Sequence, residues 1–293
     1  MGVMKRLLPV IISFAALISG CTLTEVEWMK FDEDFSNLDP RTTFIPFRAE
    51  TNVFSEDMAT SFSLPEDPET KTTSTNGANL LRALLSSYRC KQIRSYCGTY
   101  YSLDQHGDTV ILSGRIMVPA DGKVSRIMVV SHFTIGADRE APSAELPLES
   151  IYAGHGLAVV ESDYIGYGVS SDRIHPYLCS EVTARNVIDM YRAAVPFLKQ
   201  LGCAPQYNDI FLLGFSQGGA VTMSTAQELC RKYPEVDVRL VMCGGGPYDI
   251  CATYDTLIER DNTDYPCAIP MIIQGLNYGM DLGLDYSEFF QPK

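Results

Sequence analysis

The stretch Gly214-Phe215-Ser216-Gln217-Gly218-Gly219 decides the fold of this 293-residue chain. It has the pattern G-x-S-x-G, and it lies between an apolar run, Asp209 to Leu213, and a helix predicted over Ala220 to Cys230. In that context the pattern predicts a strained strand-to-helix turn that lifts a serine hydroxyl clear of a sheet. We therefore predict Ser216 as a nucleophile, with the backbone N–H of Gln217 as one oxyanion donor at the helix start.

Strand and helix patterns alternate around this turn. Continuous apolar runs are typical of strands buried on both faces, and a helical spacing precedes the nucleophile strand. The predicted elements are a hairpin of Ile93–Leu103 and Thr109–Val118, strands over Arg126–Ser131, Gly156–Glu161, Asp209–Leu213 and Val238–Met242, and a helix over Glu181–Leu198 whose end is weakened by Pro196. This order predicts an α/β fold with a mostly parallel sheet and helices on both faces.

A second oxyanion donor is expected on the loop that follows the strand Arg126–Ser131. The loop reads Ser131 to Gly136, and the N–H of Thr134 is the first choice, with that of Phe133 the second. His132 in the same loop has two interpretations. It is either a general base or, as we favour, a residue that shapes the loop through backbone hydrogen bonds.

Four blocks of sequence together resemble the secretory lipases, a family of α/β-hydrolases that includes fungal lipase A-like enzymes and bacterial relatives. They are Gly214–Gly219, Ser131–Gly136, Asp163–Gly168 and His175–Leu178. The resemblance implies esters or lipids as substrates, export, and a cap over the sheet that starts near residue 249. Phe133 departs from the family pattern, which has glycine there. The block at Asp163 also has a plainer interpretation, a flexible turn capped by the aspartate.

The chain has no histidine after Ser216; its last is His175. In this fold the order along the chain is serine, then the acid, then histidine. At about 30 residues for each βαβ unit, residues 217–293 hold the helix after Ser216, one strand and the start of a cap. We therefore predict a hydrolase domain that is incomplete at its C-terminus and lacks the triad acid and histidine, which the resemblance also places further along.

Three alternatives stay open at this point. The first is a rearranged triad that uses His132, His155 or His175 with Asp249, although Asp249 also suits a helix N-cap. The second is a non-catalytic α/β-hydrolase-like lipoprotein that binds a ligand. The third is a peptidase of the prolyl-oligopeptidase kind. Such enzymes usually carry a propeller before the hydrolase domain, and the segment 21–79 is too short and too polar to form one.

The N-terminus has the pattern of an export signal. Lys5 and Arg6 precede an apolar stretch, Leu7 to Ile18, which is followed by Ser19, Gly20 and Cys21. We predict a lipoprotein signal peptide over residues 1–20 and lipid attachment to Cys21, which anchors an exported chain to a bacterial membrane; an ordinary secretory signal is the alternative. An acidic tether or lead-in over residues 21–79 and the hydrolase domain over residues 80–293 complete the expected organisation.

Composition limits the partners. With 36 acidic and 23 basic residues the net charge is −13, which disfavours nucleic acid and any membrane contact beyond the lipid anchor. Scattered histidines and the lack of a C-x-x-C pair disfavour a metal site, and no organic cofactor is implied. The expected partner is a small-molecule or lipid ester, and the oligomeric state is left open. The cysteine pairing is also open, with Cys90 and Cys97 close enough for a local bridge.

Overall fold

The computed structural model describes residues 27–28, 38–53, 88–203, 205–259 and 267–290. The predicted signal peptide and Cys21 lie outside the described residues. So does most of the predicted acidic tether.

Eight strands and five α-helices make up the described part of the chain. The strands are β1 (Glu27–Trp28), β2 (Ile45–Val53), β3 (Gln92–Leu103), β4 (Thr109–Pro119), β5 (Arg126–Ser131), β6 (Leu157–Ser162), β7 (Asp209–Phe215) and β8 (Asp237–Gly244). The helices are α1 (Ile151–Gly154), α2 (Ser180–Gln200), α3 (Gln217–Lys232), α4 (Ile250–Ile258) and α5 (Ala268–Met280). Short 3-10 helices cover Asp138–Glu140, Leu148–Ser150, Gly168–Ser170 and Tyr286–Glu288.

All eight strands form one sheet in the order β1-β2-β3-β4-β6-β5-β7-β8. The strands β1 to β4 pair antiparallel, and β4 pairs antiparallel with β6. The strands β6, β5, β7 and β8 pair parallel, with β5 and β7 as the inner strands of this half. Parallel neighbours align their carboxyl ends, so the loops after β5, β6 and β7 share one edge of the sheet. The predicted α/β fold is confirmed.

Helices cover both faces of the sheet, as predicted. On one face α2 and α3 bury residues such as Val187, Phe197 and Val221 against the strands. On the other face Ala153 of α1 packs with Met128 and Val159. The helix α2 passes through Pro196 and continues to Gln200, two residues beyond the predicted end.

The predicted lead-in over residues 21–79 needs a correction, because part of it belongs to the sheet. Residues 45–53 form β2, which pairs antiparallel with β3. Phe44 just before it is fully buried, with its ring 5.2 Å from that of Phe197 in α2. The acidic composition of the segment hid this strand, since Glu50 is buried against Arg115 rather than solvated.

The strand β8 occupies the last position of the sheet. In the described part of the chain no strand pairs with its outer edge. Leu240 and Val241 are 43% and 37% exposed there. The apolar helix α5 comes after β8 in the sequence but packs elsewhere, with Ile272 against Tyr177 and Leu178.

All eight cysteines from Cys90 to Cys267 are free thiols, so the local bridge between Cys90 and Cys97 is not formed. Cys97 instead lies in the buried face of β3 and accepts a hydrogen bond from Arg48. Among the described helices, none combines the length and apolar character needed to cross a bilayer.

Candidate active site

Ser216 lies at the turn between β7 and α3, as the motif predicts. Its backbone has φ 55° and ψ −123°, a conformation that residues other than glycine rarely adopt. The turn is held from the neighbouring strand, because the Ser216 N–H donates to the Gly244 carbonyl at the end of β8 over 2.9 Å. Strain of this kind persists only where the surrounding structure enforces it, and it is concentrated at functional sites.

The glycines around Ser216 are required by close backbone packing. A Cβ at Gly214 would overlap the Gly218 carbonyl, and one at Gly218 would overlap the Ser131 carbonyl. A Cβ at Gly218 would also lie 2.7 Å from the His132 carbonyl oxygen. The first turn of α3 therefore lies directly against the loop that follows β5.

This packing brings the two predicted oxyanion elements together. Gln217 is the first residue of α3, where backbone N–H groups have no partner within the helix. Thr134 lies three residues after β5, the strand that pairs with β7. The Thr134 hydroxyl is 2.8 Å from the Tyr177 hydroxyl, so this loop is fixed by a side chain from another segment. Phe133 packs into a small cluster with Ile135 and Tyr167.

The block that begins at Asp163 forms a turn that is held by buried hydrogen bonds. Its backbone has positive φ at Tyr164 (66°) and Gly166 (95°). Asp163 is fully buried and accepts hydrogen bonds from the Ser113 hydroxyl at 2.5 Å and the Ser143 N–H at 2.8 Å. Burial raises the pKa of this carboxyl, and the two hydrogen bonds act against that shift. Asp163 thus ties β4 and the loop after β5 to the turn.

His175 contacts the residue next to the nucleophile. Its Nδ1 lies 2.8 Å from the Ile165 carbonyl, and its Nε2 lies 2.6 Å from the amide nitrogen of the Gln217 side chain. Burial lowers the pKa of His175 to about 3, so the ring is neutral at ordinary pH. The sequence predicted this histidine as part of a family block and as one candidate base of a rearranged triad, but not its contact with Gln217.

The histidines considered for a rearranged triad have other contacts or lie elsewhere in the fold. His132 is buried, its Nδ1 and Nε2 lie 2.7 Å and 3.2 Å from the carbonyls of Phe133 and Asp163, and burial lowers its pKa. These contacts support the interpretation of His132 as a loop-shaping residue. His155 precedes β6, at the amino end of the parallel strands, whereas Ser216 follows the carboxyl end of β7.

His106 is on the surface, 3.2 Å from Asp281. Asp249 caps helix α4, with its carboxylate accepting from the Ala252 N–H over 3.0 Å. The proposed acid of a rearranged triad is therefore engaged as an N-cap.

Comparison with known proteins supports the same fold. Residues 144–281 match the family described as secretory lipase. A protein of Legionella pneumophila assigned as a hydrolase has 22% identity and a TM-score of 0.65, over 82% of this chain and 61% of its own. The rice cell wall degrading esterase LipA from Xanthomonas oryzae has 25% identity and a TM-score of 0.53, over 74% of this chain and 53% of its own. No curated protein matches the chain.

These comparisons confirm the resemblance derived from the four sequence blocks. The chain has the α/β-hydrolase fold, and its residues 144–281 match the secretory lipase family. It spans between half and two thirds of the length of the two solved structures.

Proposed function

We propose that this α/β-hydrolase acts on carboxylic esters through an acyl-enzyme formed at Ser216. The observation that carries the proposal is the strained backbone of Ser216, at φ 55° and ψ −123°, at the end of a parallel strand and the start of a helix. This geometry presents a hydroxyl above the sheet beside two loops that can supply N–H donors. The family match and the esterase among the neighbours support an ester as the substrate.

In the proposed reaction the Ser216 oxygen attacks the ester carbonyl and loses its proton to a base. The negative charge that develops on the carbonyl oxygen is stabilised by the N–H groups of Gln217 and Thr134. Collapse of the intermediate breaks the bond to the alkoxy group, which leaves as the alcohol after taking a proton. Water then attacks the acyl-enzyme and releases the acid.

We propose that the base for this reaction is not among the four histidines of the chain. His132 and His175 are occupied by backbone and side-chain contacts, His155 lies at the opposite end of the strands, and His106 is on the surface. We therefore propose that this sequence is part of a longer hydrolase and that the acid and histidine belong to the remainder. The greater length of the structural neighbours supports this view.

Export and a lipid anchor at Cys21 belong to the same proposal. The basic start, the apolar stretch and the cysteine in residues 5–21 support them. They would place the ester site at a bacterial membrane surface, where lipid esters are available.

The test uses a fluorophosphonate probe on the folded chain, with added imidazole in place of the missing base. The Ser216 oxygen bonds to phosphorus, fluoride leaves, and the serine proton passes to imidazole. We expect labelling that rises with imidazole concentration and disappears in Ser216→Ala. Ser224→Ala, a serine two turns further along α3, is the matched control and should label like the wild type.

Two outcomes would change the proposal. Strong labelling without imidazole would place a base within this chain. Absence of labelling at every imidazole concentration, in a protein that melts cooperatively, would favour the non-catalytic ligand-binding alternative.

A further inference from the structure

Residues 175–179, His175-Pro176-Tyr177-Leu178-Cys179, contact both elements that carry the predicted oxyanion donors. We call them the 175–179 segment. His175 reaches the side chain of Gln217 in the first turn of α3, and Tyr177 reaches Thr134 on the loop after β5. One short stretch of chain therefore touches the two halves of the site, which come from sequence positions more than 80 residues apart.

The direction of the His175 contact follows from its other nitrogen. Because Nδ1 faces the Ile165 carbonyl at 2.8 Å, it carries the proton and donates. The neutral ring then leaves Nε2 as an acceptor, so the Gln217 amide nitrogen donates to it over 2.6 Å. Exchanging the oxygen and nitrogen of this amide would set two acceptors against each other, so the hydrogen-bond network fixes the amide orientation.

The orientation of the Gln217 side chain depends on its contact with His175. Its side chain is 1% exposed, and its Oε1 is buried without a hydrogen-bond partner in the described part of the chain. The bond to His175 is therefore what holds the amide in place. Because Gln217 is the first residue of a helix packed on the Ser131 carbonyl, a held side chain also holds the N–H that would face the oxyanion.

The 175–179 segment is itself fixed from three sides. The ring of His175 stacks on Tyr164 with centroids 5.9 Å apart and an interplanar angle of 10°. A Cβ at Gly166 would come within 2.6 Å of the His175 nitrogen, so this turn packs tightly beneath it. The helix α5 covers the far end, where the Cys179 thiol lies 3.5 Å from the Gly275 carbonyl.

We propose that His175 is a positioning residue that orders the oxyanion hole by holding the Gln217 side chain, with Tyr177 performing the matching role for Thr134. The proposal rests on the proposed function, since it assigns a role in the same reaction. It gives His175 no proton transfer and no contact with the substrate.

The experiment combines a spectroscopic and a kinetic measurement on the full chain. Nitrogen-15 NMR of labelled histidine should show His175 as the neutral tautomer with its proton on Nδ1. The Gln217 side-chain amide signal should shift in His175→Ala and return towards the wild-type position in His175→Gln, whose amide oxygen replaces Nε2 as acceptor.

In the kinetic measurement, imidazole-supported fluorophosphonate labelling of Ser216 is compared across variants. Loss of a single oxyanion donor typically costs about 10²–10³ in rate, so a disordered donor should cost at least about tenfold. We expect about that loss in His175→Ala, recovery of most of the rate in His175→Gln, and a smaller loss in Tyr177→Phe. His106→Ala, a surface histidine, is the matched control and should keep the wild-type rate.

The results separate the two proposals. If the wild type is not labelled, the proposed function fails and the positioning role falls with it. If the wild type is labelled and His175→Ala labels at the same rate, or if the Gln217 amide signal does not move, only the positioning role is overturned. If His175→Ala melts below the assay temperature, His175→Gln is compared with the wild type instead. A labelling rate in His175→Gln far below that of the wild type would also overturn the positioning role.

Discussion

Replacing Ser216 by glycine should stabilise the protein relative to replacing it by alanine. Both variants lose the hydroxyl, so the difference between them reports the backbone alone. At φ 55° and ψ −123° any residue with a Cβ is strained, at a cost of about 1–3 kcal/mol. Glycine has no Cβ and is free of that cost.

The expected difference is smaller than the strain itself. Glycine has more conformational entropy than alanine in the unfolded chain, which lowers the stability of the glycine variant by about 0.4–1 kcal/mol. With a strain near 2 kcal/mol, Ser216→Gly should be more stable than Ser216→Ala by about 1 kcal/mol. For a chain of this size that difference corresponds to about 2–4 °C in Tm.

The assay is urea unfolding of the two variants, supported by thermal melts. The same pair of substitutions at Ser224, inside α3, is the control. There glycine should be less stable than alanine by about 1 kcal/mol, because helix propensity is the main difference. If Ser216→Gly were no more stable than Ser216→Ala, the reasoning that this turn stores strain would be refuted.

Three further predictions concern packing and buried charge. Gly218→Ala should lower the free energy of unfolding by about 1–3 kcal/mol in urea, because the new methyl overlaps the Ser131 carbonyl, and an unchanged midpoint would contradict the packing described. Arg115→Met should cost about 3 kcal/mol in the same assay, because it leaves the buried Glu50 with one cationic partner fewer; a near-neutral effect would show that the pair does not stabilise the fold. Glu161 is buried, and burial raises its pKa well above the ordinary value, so the folded state binds its proton more tightly than the unfolded state does. Stability from this group is therefore full below the unfolded pKa, near 4, and is lost as pH rises towards the folded pKa. Glu161→Gln should raise Tm at pH 8 more than at pH 4, and an equal change at both would be evidence against the raised pKa.

Sequence patterns predicted the central elements closely because those elements are defined by local signals. The strand Arg126–Ser131 is a continuous apolar run and was predicted with its observed bounds. The turn at Ser216 was predicted from the need for glycine at two flanking positions, and the structure shows the two overlaps that impose it.

The missed features depend on distant partners. The strand β2 contains Arg48 and Glu50, whose charges indicate a solvated segment until Arg115 is seen beside them. The helix α5 has a mostly apolar sequence that includes Pro270, Gly275 and Gly279, residues that disfavour a helix, so it was not predicted. The contact of His175 with Gln217 joins residues 42 positions apart, and no local pattern encodes such a pair.

The position of β8 has a consequence for the order in which the sheet opens. Amides on the inner side of β8 bond to β7, whereas those on its outer side have no strand partner in the described part of the chain. In amide hydrogen exchange the outer side of β8 should therefore exchange before inner strands such as β5 and β6, which have strands on both sides. The carbonyl that receives the Ser216 N–H belongs to Gly244, at the end of β8. Each time this edge strand frays, the nucleophile turn loses its tether, so fraying of β8 shortens the lifetime of the assembled site.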